Sequence, residues 1–457
     1  MTTDWRAPLL EGAARVPVPF VGRDPGGWPG YSPRPAVTVW RLVSGPVAAA
    51  WDFSVFGGSF GEDDATALVA AADLARTERV PLVTLVRSGG TRLQEGMAAL
   101  VGIPRARIAL LALAAEGLPH LSVADVPTTG GVWISVASAA DLRVAVEGAT
   151  VGFAGPRVVE AVTGTLPLGD SHTAASAHRA GLVDAVLPGE DVPGWLARAL
   201  DALSPGTPTP LTAAAAPHEV EQTSGWEQVR RARGRSVGGR ALLAGLLTGA
   251  VDLCAPRGDS TVAAAVGRVA GLGVVGVALA SEVGGRPTPD GYRLLTRAAR
   301  FADRLGLPLL TLVDTPGAEP GTEAEEGGVA PAMGEALDAV LTCRSPTLSV
   351  VHGEGGSGGA LAAAATDVVL LTDEAYFAAI GPEGASAALR RPPEECADLM
   401  GITPADLLRL GVADAVLAPA DVAAEAGRRL GLLVAEAPGG RAVARRTRWS
   451  APVRGSL

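Results

Sequence analysis

Short runs of uninterrupted apolar residues, each followed by a glycine turn and then a helical stripe, recur along the chain. Residues 47–53 form one such run and lead into the turn Gly57-Gly58-Ser59. Asp63 and Asp64 follow, where a helix N-terminus favours negative charge. Leu68, Ala71, Ala72 and Ala75 then fall on one helical face by their spacing. Pro81 ends that pattern, and residues 82–86 form a second apolar run that closes on Ser88-Gly89-Gly90. Strands that are apolar throughout are covered on both faces, so this alternation predicts an α/β architecture with buried, largely parallel sheets.

The same succession occurs twice. Gly57-Gly58 recurs at Gly284-Gly285, Pro81-Leu82 at Pro308-Leu309, and Gly90 at Gly317, each 227 positions later. Farther along the offset drifts to 226, pairing Asp141 with Asp367 and Gly155-Pro156 with Gly381-Pro382. Residues 181–187 match residues 411–417 at 230. Chance does not hold such a register, so the chain reads as two copies of one domain. The expected layout is a Pro/Gly-rich segment over 1–35, a first domain over 36–202 and a Pro/Thr/Ala-rich linker over 203–217. A second domain over 218–435 and a solvated basic tail over 436–457 complete it.

Composition narrows the chemistry. A length of 457 residues exceeds one core, and 48% hydrophobic against 19% charged residues is globular. Aromatics make up 4%, so small side chains carry the apolar load and suit close backbone approaches. A net charge of −10 provides no field that attracts nucleic acid. Lysine and asparagine are absent, which GC-rich coding explains, yet no Schiff base can form on this chain. Cys254, Cys343 and Cys396 are isolated, and neither they nor the five histidines have metal-ligand spacing. No secretory h-region opens the chain. The most apolar stretch, residues 100–118, is interrupted by Pro104, Arg105 and Arg107, short of the roughly 18 residues of a membrane span. A soluble cytoplasmic protein without membrane contact is the expectation.

Two glycine-rich turns stand out in each copy: residues 88–96 and 127–132 in the first, 314–321 and 353–360 in the second. Each follows an expected strand and precedes an expected helix. Backbone N–H groups in such turns form an anion site or oxyanion hole. Any one of them also suits an ordinary connection, but repetition at matched positions favours function. A P-loop is excluded because its lysine is missing.

Here the sequence resembles a known family. Residues 57–62, 88–96, 127–132 and 152–157 resemble the carboxyltransferase β subunit of acetyl-CoA carboxylase. Residues 226–233, 314–318, 353–360 and 380–384 resemble its α subunit. The resemblance runs in β-then-α order over roughly residues 24–418. It implies two crotonase-like ββα-superhelix domains in tandem, the first facing CoA and the second biotin. It also implies carboxyl transfer to an acyl-CoA of the acetyl or propionyl class, with an oxyanion hole in each half and no side-chain nucleophile. By resemblance Gly89, Gly90 and Gly131 serve the first hole, and Gly317, Ala318, Gly359 and Ala360 the second. Gly130 and Gly358 line substrate, while Arg87, Arg92 and Arg157 are candidates for CoA phosphates, since arginine binds phosphate bidentately. No metal is implied.

A chain without lysine cannot carry biotin itself. Carboxybiotin therefore comes from a biotin carboxyl carrier protein loaded by a biotin carboxylase, and a homodimer or larger homo-oligomer is expected. Glu62 and Glu95 read as supports for the glycine turns, and His352, just before the second glycine run, as a residue to mutate. The β subunit's four-cysteine zinc ribbon is absent, the lead-in to the first strand is short, and Thr91 replaces the family's alanine. Two other readings remain: a biotin-independent malonyl-thioester decarboxylase, for which one hole suffices, and a non-catalytic acyl-CoA-binding scaffold.

Overall fold

The computed structural model describes residues 4–209, 218, 220–235, 237–280, 282–436 and 439–453. Residues 210–217 of the expected linker lie outside the described residues. The chain divides into two compact units, Met1–Leu200 and Asp201–Leu457.

In the first unit, β1 (Ala14–Val16), β2 (Val37–Arg41) and β3 (Val47–Trp51) pair antiparallel. From β3 onward the pairing is parallel through β4 (Leu82–Ser88), β5 (His120–Thr129), β6 (Leu142–Val146) and β8 (Ala185–Leu187). The short β7 (Val151–Gly152) adds to the far end of β5. Residues 47–51 are buried throughout, as a strand covered on both faces requires. The helix Glu62–Glu78 turns Leu68, Ala71, Ala72 and Ala75 inward. Its core neighbours are mostly alanine, valine and leucine.

The second unit repeats the scheme. Antiparallel β9 (Thr248–Leu253), β10 (Ala263–Val269) and β11 (Leu272–Ala278) lead into parallel β12 (Leu309–Thr315), β13 (Thr347–Gly356), β14 (Val368–Thr372) and β16 (Ala415–Leu417). Again a short strand, β15 (Tyr376–Ala378), extends the end of the central one, here β13. The sheets also share an irregularity: the register shifts between Val86 and Ser88 in β4 and between Val313 and Thr315 in β12. Each shift stands immediately before a glycine turn, where a change in pairing re-aims the chain.

Three expectations are corrected. The arginine-rich tail is not merely solvated: Arg441–Ser450 is a helix anchored by Arg445, whose side chain is fully buried against Asp367 at 2.7 Å and the carbonyls of Val340 and Cys343. Residues 4–35 are more than a Pro/Gly-rich segment, because β1 lengthens the first sheet and Tyr31 donates to Glu95 at 2.7 Å. Pro104 does not interrupt its apolar stretch, since the helix Met97–Ala115 runs through it. That helix is long and apolar enough to cross a membrane by length and composition. One of its faces buries Ala99, Gly102, Ala106, Ala109, Leu110 and Leu113, while Leu100, Val101, Ile108 and Leu111 stay exposed.

Candidate active site

In the first unit the ends of β4 and β5 bring two glycine turns together. Gly90 has φ +117° and Gly130 φ +70°, and a Cβ on Gly130 would lie 2.8 Å from the Gly90 Cα. Only glycine at 130 allows both that left-handed turn and that approach. Ser88, fully buried, accepts the Gly90 N–H on its Oγ at 3.1 Å. The Gly89 N–H donates to the Gly57 carbonyl at 2.9 Å. Gly89 thus shapes the turn, and its amide is not available as an oxyanion donor. Gly131 opens the helix Gly131–Ser135, where an N–H has no partner within its own helix. A Cβ there would meet the end of the Ile103 side chain and, at 3.0 Å, Thr91 Oγ1, so any side chain at this position displaces Ile103.

The second unit builds the same corner with different residues. Gly317, at φ +134°, donates its N–H to Thr315 Oγ1 at 3.1 Å, as Gly90 does to Ser88. Ser357 opens the following helix, Ser357–Ala364, at φ +62°. Gly359 and Ala360 are buried in its first turn, and Gly358 beside them is exposed. A Cβ on Gly359 would stand 2.9 Å from the Ala318 nitrogen and 2.5 Å from the Tyr292 hydroxyl, so the Gly317–Ala318 peptide lies against this helix.

The arginines separate into two kinds. Arg92 is withdrawn as a phosphate ligand, because its side chain has no exposure and is held by Asp64 at 2.7 Å and Glu95 at 3.0 Å. Glu95 in turn accepts from the Glu62 N–H at 2.6 Å, so the cluster braces the segment around the first turn. Arg157 is exposed in the first turn of the helix Pro156–Thr163. Arg87 lies over Phe53, 4.9 Å from the ring centre, with its Nε donating to the Val126 carbonyl at 2.7 Å.

Behind the second turn, Asp314 pairs with Arg235, which also meets His352 Nδ1 at 2.7 Å. Arginine only donates, so Nδ1 accepts and the His352 proton sits on Nε2, which has no partner in the structure. Burial, reinforced by Arg235, pulls the His352 pKa down to about 4 and keeps the ring neutral. Nearby, Glu354 accepts from Tyr376 at 2.8 Å and pairs with Arg233 at 2.9 Å. Among the described residues, no group of three or more His, Cys, Asp or Glu is arranged to hold a metal ion.

Sequence reasoning missed Ser88, Thr315, Tyr292 and the Arg235–Asp314 pair. The first two carry a readable signal, a hydroxyl two positions before a glycine at the 227-residue offset. Tyr292 lies far from any glycine motif and gives none.

Comparison with known proteins fits this geometry. The acetyl-coenzyme A carboxylase carboxyl transferase subunits beta/alpha of Salinispora arenicola are 40% identical over 399 residues, covering 81% of this chain and 70% of the relative. The chain belongs to the acetyl-CoA carboxylase carboxyltransferase β/α family. A probable biotin-dependent acyl-coenzyme A carboxylase beta3 subunit of Mycobacterium tuberculosis is 35% identical over 379 residues, covering 80% and 76%. The family model for acetyl co-enzyme A carboxylase carboxyltransferase-like domains matches residues 279–430. Among solved structures, the transcarboxylase 12S hexamer with hydrolysed methylmalonyl-coenzyme A superposes with a TM-score of 0.75 at 25% identity, covering 88% of this chain and 82% of that one. A single-chain, multi-domain long-chain acyl-CoA carboxylase shares the fold, with a TM-score of 0.71 at 18% identity, covering 86% and 41%. The crotonase-like carboxyltransferase fold expected from the sequence is therefore that of these neighbours.

Proposed function

We propose that this chain is the carboxyltransferase component of a biotin-dependent acyl-CoA carboxylase, acting on an acyl-CoA of the acetyl or propionyl class. The observation that carries the reading is that a glycine corner of one geometry, pinned by a hydroxyl and heading a helix, occurs once in each unit. Carboxyl transfer places negative charge on two carbonyl oxygens in turn, and two such corners answer that requirement. Carboxybiotin, delivered by a separate carrier protein, supplies the carboxyl group.

Gly131 heads the first hole, while Gly90 and Gly130 hold its shape; Ala318, Gly359 and Ala360 form the second, with Gly317 holding its shape as Gly90 does and the exposed Gly358 beside it. Preorganised donors of this kind act where charge develops, in a site that excludes water. Arg87 and Arg157, at the surface of the first unit, receive the CoA phosphates. These 457 residues include no lysine, so the biotin is not attached within them. The exposed apolar face of Met97–Ala115 supports a homo-oligomer, as does the hexameric assembly of the transcarboxylase neighbour.

The reverse reaction tests the assignment. Purified protein is incubated with malonyl-CoA or methylmalonyl-CoA, with and without free biotin, and the decarboxylated thioester is followed by mass spectrometry. Biotin-dependent product is the expected result. Equal product without biotin would establish a decarboxylase instead, and no product from either thioester would return the chain to an acyl-CoA-binding scaffold.

A further inference from the structure

Both sheets lose their regular pairing at the same place. Between the pairs Val313–Val351 and Thr315–Gly355, Asp314 of β12 stands alone against His352, Gly353 and Glu354 of β13. Between Val86–Ala124 and Ser88–Thr128, Arg87 stands likewise against Asp125, Val126 and Pro127. A buried strand end whose ladder is interrupted needs other hydrogen bonds to hold it. The lone residue supplies one in each unit. Asp314 Oδ1 accepts the Glu354 N–H at 3.0 Å, and Arg87 Nε donates to the Val126 carbonyl at 2.7 Å. These bonds hold the same peptide link, Gly353–Glu354 in one copy and Val126–Pro127 in the other, 227 positions apart. Proline offers no N–H, so the first unit ties the carbonyl with a cation, while the second ties the N–H with an anion. The charge is inverted and the tie is kept.

We propose that Asp314, oriented by Arg235, is a positioning residue of the second corner. This inference rests on the carboxyltransferase reading. Asp314 is fully buried and leads directly into the turn Thr315-Pro316-Gly317. The peptide it holds ends at Glu354, three residues before the helix Ser357–Ala364 begins. One bond therefore sets the spacing between the Ala318 amide and the first turn of that helix, the two sources of donors for the hole. Arg235 pairs with Oδ2 of the same carboxylate, and its own Nε is fixed on the Ala232 carbonyl at 3.0 Å, which keeps Oδ1 turned to Glu354. A Cβ on Gly353 would collide with both Arg235 and Asp314, so the pair closes directly over this peptide. Asp314 acts through the amides it holds in place, and displacing catalytic groups by about 1 Å can cost roughly 10²-fold in rate.

The test compares wild type with two double variants, Arg235→Met/Asp314→Asn and Arg235→Met/Asp314→Leu, in the biotin-dependent reverse reaction. Both remove the two charges of the pair together, so neither leaves one of them buried without its partner. Asparagine keeps an acceptor for the Glu354 N–H, and leucine, of similar size, does not. Urea unfolding is followed alongside, and rates are taken per folded molecule. The leucine variant is expected to show a kcat roughly 10²-fold below that of the asparagine variant, with KM for the thioester unchanged in both. Equal kcat per folded molecule in the two variants would show a pair that only stabilises the fold, and would overturn the proposal. A loss expressed in KM instead of kcat would do the same, since it would place the effect on thioester binding. Wild type inactive on both thioesters would overturn the carboxyltransferase reading itself, and this inference with it.

Discussion

Replacing Arg92 by methionine separates two roles that the sequence allows and the structure does not. The guanidinium lies between Asp64 at 2.7 Å and Glu95 at 3.0 Å, and it also donates to the carbonyls of Arg34 at 3.0 Å and Ser59 at 2.5 Å. Phe56 covers one face, its ring centre 5.3 Å away. Both carboxylates are shut from solvent with it, so methionine would leave two buried acids without a counter-charge. Removing one partner of a buried pair costs about 3–5 kcal/mol. At about 1.4 kcal/mol per factor of ten, the folded-to-unfolded ratio of the first unit then falls by more than two orders of magnitude. Lysine does not restore it, because a single ammonium cannot reproduce a fork that reaches two carboxylates and two carbonyls.

Urea unfolding of the intact chain, followed by tryptophan fluorescence, reads this loss. Trp51, stacked on Phe60 at 6.3 Å in the core of the first unit, reports on the affected region. CoA titrations of the folded fraction at low and high salt provide the second readout. The expected result is an early transition for Arg92→Met with little change in the CoA affinity of molecules still folded. A wild-type midpoint with weakened, salt-sensitive CoA binding would refute the reasoning and return Arg92 to the phosphate site.

Three further outcomes follow from the same structure. Arg157→Ala, at an exposed position, should weaken CoA binding at low salt, less so at high salt, and leave the unfolding midpoint in place. Arg445→Met should lower the stability of the second unit by about 3–5 kcal/mol in the same urea assay, whereas a solvated tail would show no effect. His352 has a folded pKa of about 4, below its ordinary 6.5, so the unfolded chain takes up the proton first. Stability contributed by the neutral ring is therefore intact above pH 6.5 and lost as pH falls toward 4, by roughly 3 kcal/mol, with Arg235 and Asp314 as the charged groups facing it. His352→Gln should flatten urea midpoints over that window, and an unchanged slope would refute the assignment.

Much of the site was legible because its signals are local. Glycines at strand ends, the 227-residue offset and uninterrupted apolar runs all state backbone requirements, and backbone requirements appear in sequence. What was hidden depends on distant partners. Nothing around Arg92 says that Asp64, 28 positions earlier, will enclose it. Nothing in the arginine-rich stretch after Gly439 says that one arginine will find Asp367 and a set of carbonyls. Tyr292 shows only the spacing of a core residue, and its packing against Gly359 is set from across the fold. Pro104 misled for the opposite reason: a local helix-breaking rule gave way to packing, since burial of Ala99, Gly102 and Ala106 on one face holds the helix together around it.

Comparing the two copies at matched positions shows what the corner requires. Ser88 and Thr315 differ by a methyl group, yet each accepts the N–H two residues on at 3.1 Å. Gly89 ties its turn to the Gly57 carbonyl through a backbone N–H. Its counterpart Pro316 has no N–H to give, and the Thr315 hydroxyl ties to the Gly285 carbonyl instead, at 2.9 Å. Gly130 and Ser357 share a positive φ, which glycine adopts freely and serine at a cost of about 1–3 kcal/mol. Residues have been exchanged in each case, and the tether, the bend and the helix start have been kept. Strain of the Ser357 kind persists only where the surroundings fix it, and here they fix the entrance to a helix whose first turn faces Ala318 and Tyr292. That the second copy keeps this conformation on a serine argues that the geometry of the corner, more than the identity of its residues, is what both units preserve.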